Sequence, residues 1–139
     1  MNPLDERGAV SSEFAVVMAA FLTTFMLLVV SAGRVAQAEN DVRSAAHEAA
    51  RAASLAGTIT QADAEARRVV DANLVTSGLS CADGLDVAVG LDQFQPGGSV
   101  SVTVACDASF ADLASLDVPG SRRFTSTATE IIDTYRADP

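Results

Sequence analysis

Residues 14–33 form an apolar run that carries no charged side chain, and the first charge beyond it is Arg34. At a helical rise of ~1.5 Å per residue the run spans about 30 Å, the thickness of a bilayer's hydrocarbon core, so it reads as a single membrane-spanning helix. Everything after it must then fold on one side of a membrane. Glu13 stands at the mouth of the run. Carrying a charge to the bilayer centre costs about 2.5 to 3.5 kcal/mol. A carboxylate here therefore reads in one of two ways: as a marker of the membrane edge that snorkels to water, or as half of a charge pair.

Gly8 is followed five residues later by Glu13, then by Phe14 and the apolar run. This stretch, Gly8-Ala9-Val10-Ser11-Ser12-Glu13-Phe14, resembles the pattern read by prepilin peptidases. Two later segments, 112–122 (Asp-Leu-Ala-Ser-Leu-Asp-Val-Pro-Gly-Ser-Arg) and 127–136 (Thr-Ala-Thr-Glu-Ile-Ile-Asp-Thr-Tyr-Arg), extend the likeness. Together they resemble TadE-like minor pilins, or pseudopilins, of tight-adherence (Flp) type IV pilus systems, actinobacterial type. The chain departs from that pattern twice. Met18-Ala19-Ala20 stands where relatives often carry an early Pro, and Ile131 follows the late Glu130 where they often carry another. Without the early Pro a straighter helix is expected.

The resemblance implies a division into a prepilin-type leader (1–8), a transmembrane helix segment (9–33) and an extracytoplasmic pilin-like domain (34–139). It implies cleavage between Gly8 and Ala9, with Gly8, Ala9, Glu13 and Phe14 read by the peptidase. Glu13 would then compensate the freed amine of Ala9 on a neighbouring subunit. The implied partners are a prepilin peptidase, other pilins or pseudopilins, the inner-membrane assembly platform and the lipid bilayer. The N-terminus would be cytoplasmic and the domain extracytoplasmic. Filament subunit, tip or priming component, and platform component all stay open.

With 139 residues and one span, the remainder suffices for one small domain with a modest core. The net charge of -9 argues against nucleic acid and against a polybasic hold on anionic lipid. If the domain lies outside the cytoplasm, Cys81 and Cys106 read as a disulfide rather than a metal site. The single histidine, His47, cannot complete a four-ligand zinc site with them.

No helix breaker intervenes before Gly57, so one helix is expected over about 12–56. In it Val35, Ala38, Val42, Ala45, Ala49, Ala52 and Ala56 recur at steps of three and four, a seam of mostly small residues. The seam fits packing within the chain and packing between subunits equally well. Arg34, Gln37, Asp41, Ser44, Glu48 and Arg51 mark the opposite face, with Glu39–Arg43 and Glu48–Arg51 spaced for ion pairs. Thr60 with Asp63 resembles a capping box opening a second helix, which carries the stripe Ala62, Ala66, Val69, Val70, Leu74 and ends near 76–78.

From Asp86 the period becomes two. Val87, Val89 and Leu91 alternate with small or polar residues, as do Val100, Val102 and Val104. Phe94-Gln95-Pro96-Gly97-Gly98 between them is turn chemistry, so the pair reads as a hairpin whose second strand ends at Cys106. Phe110, Leu113, Leu116 and Val118 suggest an apolar turn, and 123–135 a third strand. The fold class is α+β: a long N-terminal transmembrane helix continuing into an extracytoplasmic helix, a second short helix, and a small antiparallel three-stranded sheet.

Nothing points to catalysis, a cofactor or a bound metal. His47-Glu48-Ala49-Ala50-Arg51 misses the zinc-protease motif, because Arg51 stands where the second ligand belongs. Without a second His or any Lys, no base is at hand to activate a serine. Asp83, Asp86, Asp92 and Asp107 lack calcium-loop spacing and read as a solvated acidic face. Two other readings stay in play. One is a secreted protein cleaved after Ala38, since Ala36-Gln37-Ala38 fits a signal-peptidase site. The other is an unprocessed single-pass membrane-anchored binding domain.

Overall fold

The computed structural model describes residues 6–81, 84–109 and 120–135, with side chains from Ser12 onward. Residues 1–5, Asp83, the apolar turn bearing Phe110, Leu113, Leu116 and Val118, and most of segment 112–122 lie outside the described residues. Helix α1 (Glu6–Leu55) is followed by α2 (Ile59–Ser77) and by the strands β1 (Gly84–Gln93), β2 (Ser99–Ser109) and β3 (Ser121–Ile131). The sheet is antiparallel in the order β1-β2-β3. This is the α+β arrangement expected from the sequence.

Helix α1 runs unbroken through the apolar run and into the body of the fold. Its second half is buried on two adjoining rows of small residues. The expected seam supplies Ala38, Val42, Ala45 and Ala49, and a second row supplies Ala46, Ala50 and Ala53. The second row exists because α1 packs against α2 and against β2 and β3. The seam is thus filled from within the chain. Alanine lets backbones approach closely and suits a helix with partners on two sides.

The start of α2 differs from expectation. Thr58, not Thr60, is the N-cap: its backbone is extended and its hydroxyl accepts from the Gln61 N–H at 3.3 Å. Thr58 and Gln61 have the spacing of a capping box two residues earlier than Thr60 and Asp63. Asp63 instead receives two hydrogen bonds from the Arg67 guanidinium, at 3.0 and 3.1 Å. That hydrogen bond first, and the charge of Asp63 second, raise the Arg67 pKa above its ordinary value. Gly78 ends α2 in the left-handed region at φ 73°, and Leu79 N–H closes back to the Leu74 carbonyl at 3.2 Å. The apolar stripe is as expected, with Ala62, Ala66, Val70 and Leu74 buried.

The sheet places Val100, Val102, Val104, Cys106 and Ala108 of β2, and Phe124 and Ala128 of β3, against the helices. Strand β2 continues past Cys106 to Ser109, and Cys106 pairs with Phe124 inside the ladder. Strand β3 stops at Ile131 rather than near Tyr135. Beyond it Ile132 is buried, its N–H bonded to the Gly98 carbonyl at 2.9 Å and its carbonyl to Gly97 N–H at 3.1 Å. The chain then turns through Asp133, and Tyr135 is exposed. The β1–β2 turn needs its glycines: Gly97 has φ 77°, and a Cβ on Gly98 would collide with the Gln93 carbonyl.

Cys81 and Cys106 form a disulfide across a separation of 25 residues. The bridge ties the segment between α2 and β1 to the inner face of β2. On the chain-entropy account a loop of that length contributes about 3.5 kcal/mol. The largest side chains buried below 2% exposure are one isoleucine, five valines and Cys106, so the core is short of apolar volume.

The buried seam generates a test. Ala49→Leu forces added methylenes into a site at 0% exposure and is expected to destabilise the head by about 1 to 3 kcal/mol. Ala36→Leu, on an exposed position of the same helix, should stay within about 0.5 kcal/mol. Denaturant titration of the micelle-held chain, followed by circular dichroism, measures both; equal effects would count against the intramolecular seam.

Candidate functional site

The first half of α1 is a bare apolar stalk. From Phe14 to Val30 the large apolar side chains project without packing partners in the fold, with exposures from 39% at Met18 to 70% at Val16. The change to core is abrupt. Arg34 is exposed, Val35 is half-buried, and Ala38 is 2% exposed. Among the described residues this is the one helix long and apolar enough to cross a membrane.

The stalk's polar groups are arranged for a dry environment. Its hydroxyls, on Thr23, Thr24 and Ser31, donate to the carbonyls of Ala19, Ala20 and Leu27 one turn back, at 2.8, 2.9 and 2.9 Å. Hydrocarbon supplies no partner for such groups, so satisfaction within the segment is what a lipid-facing helix requires. Phe21 and Phe25 stack one turn apart, with ring centroids 6.4 Å from each other. Glu13 is exposed at the entry of this stalk and makes no hydrogen bond or ion pair among the described residues. Helix α1 begins at Glu6, earlier than expected, so Gly8 and Ala9 fall within its first turns.

The remaining candidates are dispersed. His47 is exposed on α1, and the described residues contain no cluster of three or more potential metal ligands. Asp86 and Asp107 are not simply solvated: both approach Arg123, at 3.9 and 3.3 Å. Glu48 accepts from Asn73 of α2 at 2.8 Å and from Ser44 at 3.5 Å, in place of the expected pairing with Arg51. On α2, ion pairs join Asp63 to Arg67 and Glu65 to Arg68. One feature had no signal in the linear sequence: β3 begins against α1 and brings Arg122 and Arg123 beside Arg43 in a single cleft.

An extended lipid-length helix whose distal half is the central element of a small α+β head is the arrangement of a candidate helix-anchored membrane protein. A family model described as TadE-like protein matches residues 8–51, which cover the motif, the stalk and most of the buried half of α1. Over that stretch, about a third of the chain, the sequence is similar to TadE-like proteins, a family associated with Tad pili. No curated protein and no solved structure matches the chain.

The stalk makes a direct prediction. Arginine at a helix centre costs about 2.5 to 3.5 kcal/mol on insertion scales. Phe21→Arg with Phe25→Arg should therefore move the purified chain out of the liposome fraction on flotation. The head, which does not contact these side chains, should retain its circular dichroism spectrum; a coincident loss of head structure would mean the stalk is part of the core.

Proposed function

We propose that this chain is a membrane-inserted minor pilin or pseudopilin that takes part in assembling a tight-adherence type IV pilus. The observation that carries this reading is the division of one continuous helix at Arg34 into a bare half of bilayer length and a half built into the head, within a TadE-like match. The leader 1–8 is removed by a prepilin peptidase, segment 9–33 spans the membrane, and domain 34–139 lies outside the cytoplasm. The disulfide supports that side, since such bridges persist in oxidising compartments.

The burial of Ala38 weighs against secretion by cleavage after that residue. Such a cut would strip Val35 and Ala38 from the packed part of α1. An unprocessed anchored binding domain has less support than the pilin reading, because the clefts described on the head are open to solvent with polar or mixed linings, and the apolar hollow at Leu22, Phe25 and Met26 lies on the bare stalk. The mature N-terminus separates the readings: Ala9 for the pilin, Glu39 for the secreted protein, Met1 for the anchor. Intact mass of the native membrane protein reads it. Gly8→Leu should leave the precursor uncut, because a bulky side chain does not fit a site that reads glycine; normal maturation of that variant would overturn the processing step.

Glu13 is assigned to the charge pair with the Ala9 amine of a neighbouring subunit. A carboxylate without a partner is costly once lipid or protein surrounds it, and the adjacent amine removes that cost. Glu13→Ala should therefore still insert into the membrane yet fail to support piliation. Breaking a buried pair costs on the order of 3 to 5 kcal/mol, at least about a hundredfold in an assembly equilibrium. Electron microscopy of cells carrying only that variant reads the outcome, and pili of normal number and length would leave Glu13 as an edge marker.

A further inference from the structure

The chain's basic residues number nine, all arginine. Of those on α2, Arg67 is held by Asp63 and Arg68 by Glu65. A different group gathers at the stalk end of the head. A cleft of about 240 Å³ opens between α1 and the start of β3, with Arg43, Arg122 and Arg123 around it and Glu39 on the same wall. Arg123 is engaged with Asp107 and Asp86. Arg122 lies over the Phe124 ring at 5.3 Å, a contact that leaves the rest of the guanidinium's donors available. Arg43 makes no ion pair among the described residues. The cleft therefore presents Arg43 and Arg122 against the single carboxylate of Glu39.

Its height above the stalk follows from helix geometry. Glu39 and Arg43 stand five and nine residues beyond Arg34, a rise of about 8 and 14 Å along α1. The polar headgroup layer extends about 5 to 8 Å beyond the hydrocarbon on each side. Arginine's long stem, directed toward the helix N-terminus, reaches back toward that layer. The topology puts the same end of the sheet there. Ser109 closes β2 and Ser121 opens β3 beside this cleft, while the β1–β2 turn lies at the other end.

We propose that this cleft holds the phosphodiester headgroup of an anionic phospholipid, fixing the height and rotation of the head on the membrane before assembly. The inference rests on the membrane-spanning reading of α1 but not on which leaflet the head faces. It also qualifies the expectation from net charge. A chain at -9 has no polybasic segment, yet folding brings together arginines some 80 positions apart on the face nearest the lipid. Guanidinium groups bind phosphate through paired donors, and each basic residue near an anionic surface contributes a factor of about five in affinity.

The test uses the full chain, purified in a neutral detergent and titrated with phosphatidylglycerol or phosphatidylcholine, with bound lipid counted by native mass spectrometry. Wild type should retain phosphatidylglycerol preferentially. Arg43→Gln with Arg122→Gln should reduce that preference by about 30-fold, and Arg43→Lys with Arg122→Lys should keep most of it. Equal preference in wild type and the glutamine variant overturns the proposal. So does displacement of the lipid by millimolar inorganic phosphate, which would mark a site for the free ion. A glutamine variant that loses pilus assembly without altered lipid preference would assign the cleft to a neighbouring subunit's carboxylate and overturn it equally. Flotation with neutral liposomes, run alongside, separates the two levels: failure to float defeats the membrane-spanning reading, while flotation without lipid preference defeats only this inference.

Discussion

One helix has to satisfy two solvents, and the rest of the structure depends on that. Between Phe14 and Arg34, α1 is bare and apolar, with the hydroxyls of Thr23, Thr24 and Ser31 bonded to its own backbone. Above Arg34, the same helix carries alanines that allow α2 and the sheet to approach on two sides. No loop separates the halves, so the orientation of the head is transmitted directly to the stalk. A hinge would uncouple them. Because helix hydrogen bonds are cooperative, packing of the upper half also stabilises the helical state of the turns just below it.

That use of α1 explains the modest core and the device that supplements it. Alanine rows bring elements close but bury little apolar area per residue, and the free energy of burial scales with that area. A head whose interior is mostly alanine and valine is therefore short of hydrophobic stabilisation for its size. The Cys81–Cys106 bridge acts on the other side of the balance, by restricting the unfolded chain. Its placement is economical. It closes the hairpin strand β2 onto the segment arriving from α2, the one junction at which the helical layer hands the chain to the sheet.

Much of this was legible in the sequence because periodicity reports burial. The three-and-four spacing of the alanine seam, the α2 stripe and the alternating valines all lie where expected. The misses share a cause: each depended on a neighbour distant in sequence or on competition between adjacent local options. Ala46, Ala50 and Ala53 are as small as exposed alanines, and only the presence of partners on two faces makes them core. Thr58 and Thr60 both fit a capping pattern. Thr58 wins because its Gln61 lies in the first turn while Asp63 is committed to Arg67. Strand β3 stops early because Ile132 leaves the ladder to bond the Gly97-Gly98 turn. The arginine cleft unites positions 43, 122 and 123, and no window along the chain contains them all.

The candidate site was legible in a different way, through a conflict rather than a period. Glu13 is anomalous in sequence because it adjoins an apolar run, and it remains anomalous in the fold. Thr23, Thr24 and Ser31 each find a carbonyl one turn back, and Glu48 finds Asn73 across the helix pair. Glu13 finds nothing among the described residues, although it sits on the same unbroken helix. A carboxylate cannot use the back-bonding that satisfies a hydroxyl, because it has no proton to donate to a carbonyl. It needs a donor, and the stalk downstream offers only side chains already committed or apolar. The stalk hydroxyls of Thr23, Thr24 and Ser31 are thus satisfied within the helix, and this acid is not. On the proposed charge pair, a second chain bringing a cation to the entry of α1 would supply what Glu13 lacks.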